Sequence, residues 1–257
     1  MRVITCCKAV PEAQDIVVTK DRQISIEKAE WKFGQYDLNA VEAGKQIVEA
    51  VGGQLSGLCA GGKILDNSKL RKDILSRGLD DLYVVMDEKM EQADTYQSAK
   101  VLEAAIQKMG DFDLVLCGAG SSDLYAQQVG NQLGELLGLP VVNAVNKITP
   151  EGDKIIVERT VENAIQVLEI SLPAVFSVTS EINVPRIAGM KDIIAANKKS
   201  VSKFTLSEIN ADNLPNSSSE ILSTMAPEQV DRRLNILEGE SDEVIDAFVK
   251  LLSAELK

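Results

Sequence analysis

Three short segments follow apolar runs and carry residue types suited to binding an anion: Lys8-Ala9-Val10-Pro11, Cys59-Ala60-Gly61-Gly62-Lys63 and Gly118-Ala119-Gly120-Ser121-Ser122-Asp123. Where a strand turns into a helix, backbone N–H groups and the helix N-terminus face outward together, and glycine lets the chain approach a phosphate closely. None of the three matches a Walker loop or a complete dinucleotide fingerprint, so each taken singly is equally a plain turn. Set side by side at the carboxyl edge of one parallel sheet they converge on a nucleotide, because open α/β folds bind ligands there.

Other chemistries are poorly served. The chain has no histidine, which removes Ser-His and Cys-His nucleophilic machinery and the imidazole ligands of most zinc and haem sites. Cys6, Cys7, Cys59 and Cys117 sit in or beside apolar runs without CxxC spacing, so they read as small buried hydrophobes in a reducing compartment, and no metal site is expected. The net charge of −12, from 27 basic and 39 acidic residues, opposes sequence-independent nucleic-acid binding and suits a basic partner surface. No apolar stretch reaches the ~18 residues of a membrane span, and Met1-Arg2-Val3-Ile4-Thr5 reads as a strand with no signal peptide, so the expected location is cytoplasmic.

The elements that must position these segments alternate along the chain. Short apolar runs at 3–8, 54–60, 82–86, 114–118 and 174–178 read as strands buried on both faces. Between them, 37–51, 68–77, 95–109 and 125–137 read as helices, the second capped by Asn67 or Ser68. Such alternation predicts an α/β fold with a doubly wound, mostly parallel sheet. Two period-two runs, 154–159 and 165–170, predict an antiparallel hairpin attached to it. Residues 1–199 form the nucleotide-binding α/β domain in this reading, and 200–257 a linker and C-terminal helical arm. The linker, 200–227, holds the polar run Asn216-Ser217-Ser218-Ser219 and is too poor in apolar residues to pack as an element. The arm ends in an amphipathic helix at 241–256, Ser241 its N-cap, whose Val244, Ile245, Phe248, Leu251 and Leu252 pack on the chain's own domain or on a partner subunit.

Several motifs carry a family resemblance over roughly residues 1–200: Tyr36-Asp37-Leu38-Asn39-Ala40-Val41-Glu42, Arg71-Lys72-Asp73-Ile74-Leu75-Ser76-Arg77-Gly78, Ser121 through Gly130, and Asn183-Val184-Pro185-Arg186-Ile187-Ala188-Gly189-Met190-Lys191. The chain resembles the electron transfer flavoprotein beta subunits, in particular their Fix-type subgroup. The hairpin signature is partly kept: Arg159, Glu162, Gln166, Leu168 and Pro173 fit, whereas Asn163 and Ala164 stand where acidic or glycine residues are usual and Phe176 replaces an aliphatic residue.

The resemblance implies a heterodimer with an alpha subunit that holds most of a redox flavin adenine dinucleotide, FAD, while this chain covers part of it and binds AMP or a second FAD. It implies an electron carrier with no catalytic residues of its own, passing electrons from a dehydrogenase or reduced nicotinamide cofactor to an acyl-CoA-type dehydrogenase or a quinone oxidoreductase; electron bifurcation stays open. Carried over by position, the nucleotide contacts are Ala9, Asn39, Ala40, Val41, Glu42, Cys59, Gly118, Ala119, Gly120, Ser121, Ser122, Asp123, Leu124, Tyr125, Ala126, Gln127, Gln128 and Val129. Pro185, Arg186 and Met190 belong to the implied partner-docking loop, Met190 as an apolar anchor or else packed beneath its own loop. The basic cluster Lys191, Lys198 and Lys199 either faces acidic partner surface or is simply solvated, and Arg159 is either a flavin neighbour or a plain hairpin arginine. The competing class is an adenine-nucleotide-binding regulatory protein of the universal-stress type, which shares the sheet and site but has no need of the hairpin, loop and tail.

Overall fold

The computed structural model describes residues 1–217, 220–228 and 234–256; Ser218 and Ser219 of the polar run, residues 229–233 and Lys257 lie outside them. The chain divides into two units, Met1–Val17 with Ser25–Ser223, and Val18–Ile24 with Thr224–Lys257.

The first part runs β1 (Arg2–Cys6), β2 (Ala9–Pro11), β3 (Val17–Val18), β4 (Ile24–Ser25), β5 (Trp31–Phe33) and α1 (Gln35–Val51). Next come β6 (Gln54–Gly61), α2 (Ser68–Ser76), β7 (Asp81–Met86), α3 (Thr95–Met109), β8 (Leu114–Gly118) and α4 (Val129–Leu137). The remainder is β9 (Val141–Glu151), β10 (Lys154–Val161), β11 (Ala164–Ser171), β12 (Ala174–Val178), α5 (Met190–Ala196), β13 (Val201–Phe204) and α6 (Asp242–Glu255).

The main sheet has nine strands in the order β11-β10-β9-β12-β8-β1-β6-β7-β13. Every pairing from β9 across to β13 is parallel, and the β9-β10-β11 pairings are antiparallel. All of Ala174–Val178 and the first four residues of Leu114–Gly118 are buried, which is why these segments read as unbroken apolar runs. Helices α1, α2 and α5 cover one face with Val41, Ile47, Leu70, Ile74 and Ala196. The other face is covered by α3 and α4 with Val101, Leu102, Ile106 and Leu133. The doubly wound α/β expectation is met, and all four cysteines are buried free thiols.

Local chemistry explains the helix starts. Asn67 accepts from the N–H groups of Lys69 and Leu70, and Asp94 with Gln97 forms a capping box at α3. Ser241 contributes only its carbonyl, which accepts from Val244 and Ile245. The helix expected at 125–137 begins only at Val129, because Tyr125 and Gln127 sit at φ +46° and +58°, outside helical space.

Besides β2 to β5, which form two small two-stranded sheets, two strands of the main sheet escape the sequence pattern. The first, β9, pairs in parallel with β12 up to Val145 and antiparallel with β10 beyond it, with Ala144 at φ +54° where the register shifts. A strand that changes partners midway shows no single burial period. The other, β13, lies in the stretch expected to be an unstructured linker; it closes the sheet beside β7, and Leu206, Ile209 and Ala211 behind it are buried. An edge strand of four residues needs only a few apolar side chains to pack.

Gly134 gives a test of the α4 contact. A Cβ there would lie 1.9 Å from Cγ2 of Val141. Alanine gains about 1 kcal/mol of helix propensity, but overpacking a filled interface costs ~1–3 kcal/mol and the neighbour is a β-branched strand residue. Gly134→Ala should therefore lower the melting temperature in calorimetry, and Val141→Ala in the same chain should recover part of the loss.

Candidate functional site

Strands β1 and β8 are neighbours, yet the helices that follow them lie on opposite faces: α1 on one, α4 on the other. This is a topological switch point, where the outgoing connections part and leave a crevice at the carboxyl edge. The first junction, Lys8 with Ala9 at the start of β2, flanks the crevice on one side. Gly118 through Gln128 flanks it on the other. The segment after β6 stands one strand away, on the far side of β1.

The two flanking segments touch. Lys8 Nζ reaches Asp123 Oδ2 at 2.6 Å across the opening. The Lys8 backbone N–H donates to Asp37 Oδ2 at 2.8 Å. Asp37 is the third residue of α1, follows the N-cap Gly34, and is buried. Its carboxyl also abuts Gly118, where an added Cβ would lie 2.5 Å from Oδ1, so no other residue type fits there without displacement. Burial pushes Asp37 up to about 7, against the Lys8 N–H bond, the Lys8 charge and the Gly118 backbone.

Tyr36 and Tyr125 form the outer lip. Their rings are 5.5 Å apart and their hydroxyls 3.2 Å apart. A positive φ at an aromatic residue is unusual, and the Tyr125 ring occupies the space a Cβ on Gly120 would fill, at 2.5 Å. Ser121 turns the loop through its carbonyl to Tyr125 N, and Asp123 caps its own loop at Leu124 N. Gln128, the N-cap of α4, makes no side-chain cap; its Oε1 accepts from Thr95 instead. The α4 N-terminus therefore keeps backbone N–H groups and the positive end of its dipole turned toward this loop.

The remaining site residues read from the sequence lie elsewhere. Ala40 and Val41 are core residues of α1. Asn39 donates to the carbonyl of Asn183 at 2.8 Å, and Asn183 returns a bond to the carbonyl of Asn39. Glu42 receives Arg186 at 2.7 Å. Asn39 and Glu42 thus tie α1 to the segment after β12. Cys59 is fully buried inside β6, its thiol beside that of Cys7. The room left by Gly62 is taken by Glu91, whose Cγ would lie 2.2 Å from an added Cβ. Asp37 was not legible as a site residue; its one signal is a carboxyl in the first turn of a helix that faces a strand-end lysine.

The segment after β12 has an anchored base and an apolar front. Arg186 bonds Glu42 and Glu49 together and lends its carbonyl to Arg77. Around it Val184, Ile187 and Met190 are 89, 93 and 74% exposed, and Ile193 and Ile194 of α5 continue the surface. Lys199 does not join the basic cluster read from the sequence: its ammonium donates to Leu75 O at the end of α2, and burial holds it below the usual lysine range. Arg159 is fixed between Gln166 Oε1 at 2.7 Å and Asn143 Oδ1 at 2.5 Å, across the three antiparallel strands.

The family model described as the electron transfer flavoprotein domain matches residues 23–209. The chain belongs to the electron transfer flavoprotein family. Proteins with this domain are electron carriers rather than enzymes, and a beta-type subunit agrees with the match. Among the described residues no helix is long and apolar enough to cross a membrane, and no group of three His, Cys, Asp or Glu residues could hold a metal ion.

The Arg186 anchor is testable by pH. Burial pushes Glu42 up, but the bonds from Arg186 and Gln46 outweigh it, so its carboxyl sits below the usual range. A carboxyl lowered in the folded state stabilises above its unfolded value, near ~4.3, and loses that contribution as pH falls through the lower folded value. Arg186→Ala leaves Glu42 buried without its cation and should destabilise by ~3–5 kcal/mol at neutral pH in denaturant titration. The gap from the parent should narrow in acid, as Glu42 becomes protonated in the variant.

Proposed function

We propose that this chain is the beta subunit of a heterodimeric electron transfer flavoprotein of the Fix type, passing electrons from a dehydrogenase or reduced nicotinamide cofactor to an acceptor dehydrogenase or quinone oxidoreductase in the cytoplasm. The observation that carries the reading is the switch-point crevice, built in a chain whose residues 23–209 match the electron transfer flavoprotein domain. In this reading residues 1–199 are the nucleotide-binding domain and 200–257 an arm. The exposed Ile245, Phe248, Val249, Leu251 and Leu252 of α6 supply an apolar face for the alpha subunit.

The crevice suits a nucleotide, AMP or a second FAD. The uncapped start of α4 and the Lys8 ammonium offer positive charge to phosphate. Asp123 and the Tyr36 and Tyr125 hydroxyls can accept from or donate to ribose hydroxyls. A flavin shared with the alpha subunit supplies the one- and two-electron chemistry, and the protein positions it and sets its surroundings. Arg159, held rigid by Asn143 and Gln166, presents a fixed guanidinium suited to an anionic ring.

Expression decides the matter. Produced alone, the chain should carry little flavin; produced with a Fix-type alpha subunit it should form a stable yellow heterodimer whose extracted nucleotides identify AMP or a second FAD. A stoichiometric, tightly held flavin in the isolated monomer would overturn the shared-site reading. Within that heterodimer Met190→Ala should leave flavin content and spectrum unchanged and slow electron transfer about five- to hundredfold at sub-saturating acceptor, the loss of an interface anchor worth ~1–3 kcal/mol. Parental kinetics across an acceptor titration would refute the docking role.

A further inference from the structure

We propose that Asp37 is a positioning residue of the crevice that takes up a proton when an anionic nucleotide binds, so that nucleotide affinity and the protonation of this one carboxyl are linked. The inference rests on the nucleotide reading above and adds to it a residue and a regulation.

Geometry gives the reason. Asp37 joins three segments at the switch point: the first turn of α1, the segment after β1 through Lys8 N at 2.8 Å, and the end of β8 through Gly118. Asp37 is only 7% exposed, and Gly118 leaves the space its carboxyl fills. Lys8 gives Asp37 its backbone N–H but directs its ammonium to Asp123, so the ionised carboxyl is buried without an ion pair of its own. Facing it are Cys6, Cys7 and Lys8 from the β1 end, Tyr36 on its own helix and Asp123 from the β8 loop, with Glu181 beyond Tyr36.

Of these groups only Asp37 changes charge near neutrality. Hydrogen bonding to Cys117 and to Cys59, together with burial, raises the thiols of Cys6 and Cys7. The Tyr125 hydroxyl raises Tyr36, and Thr179 lowers Glu181. Burial pushes Asp123 up, but the bonds from Lys8, Ser121 and the Leu124 N–H, with the Lys8 charge, together outweigh it and hold the carboxyl below its usual range. The chain has no histidine to titrate in the same range. A nucleotide settling over the crevice brings phosphate charge and excludes water. Both effects penalise the ionised carboxyl, and by linkage the protonated form binds nucleotide more tightly.

Calorimetric titration of the full chain with AMP, in buffers of differing ionisation enthalpy at about pH 7.5, measures the proton count directly. The parent should take up a fraction of a proton more than Asp37→Asn, a difference that removes any contribution from the AMP phosphate. The ratio of parent to Asp37→Asn affinity, which cancels the titration of AMP itself, should rise about three- to tenfold between about pH 8.5 and 6.5. Carbon-detected titration of the aspartate carboxyls in the parent, with and without AMP, covers a variant that fails to fold: Asp37 should titrate higher with AMP bound. Equal proton uptake in both proteins, or an unmoved Asp37 titration in saturated parent, overturns the linkage and leaves the nucleotide reading intact. Absence of binding of both AMP and FAD by the parent overturns both.

Discussion

A parallel strand buried on both faces needs a helix layer above and below it, and most of this molecule follows from that requirement. The chain supplies α1, α2 and α5 to one side and α3 and α4 to the other. Since every crossover in such a sheet has the same hand, covering both faces forces the winding to reverse direction. The connections leaving β1 and β8 part to opposite faces, and the crevice there is a by-product of covering the core. The two segments that lead away from it bring Lys8 and Asp123 within 2.6 Å although 115 residues separate them in the chain.

Two ionic contacts in the molecule have different physical characters. Arg186 meets Glu42 and Glu49 through several charge-assisted bonds, and the Glu42 side chain is only 7% exposed, so its loss would strand a buried charge. The Lys8–Asp123 pair is single and partly solvated, the kind of contact worth little net energy and easily exchanged. A rigid clamp thus holds α1 to the segment after β12, and a replaceable bridge spans the crevice. Rigidity lies where a loop must present apolar residues to a partner; exchangeability lies where a ligand must enter.

The apolar front at Val184, Ile187 and Met190 illustrates the same division. A loop with three such exposed side chains would fold back on itself if its backbone were free. Arg186, pointing the other way into the glutamates, and Asn183, bonded reciprocally to Asn39, hold the loop outward.

Much of the fold was legible in the residues themselves. The bounds of β8, β12 and α3 coincide with their apolar patterns, because each is buried uniformly along its length or along one helical face. The parallel α/β class follows from the same alternation, and the hairpin from its period of two. What tertiary structure decided is everything that depends on a change of partner or on proximity across the chain. Strand β9 switches from β12 to β10 and so has no single period, and β13 packs as an edge with few apolar residues. Asn39 and Glu42, read as nucleotide contacts, bond the segment after β12, while Asp37, read only as a member of the same motif, bonds the segment after β1. A helix turns 100° per residue, so membership in a motif says only that residues are near one another in the chain. Which of them meets the ligand edge is set by the rotation at which α1 lands on the sheet, and that is fixed by packing.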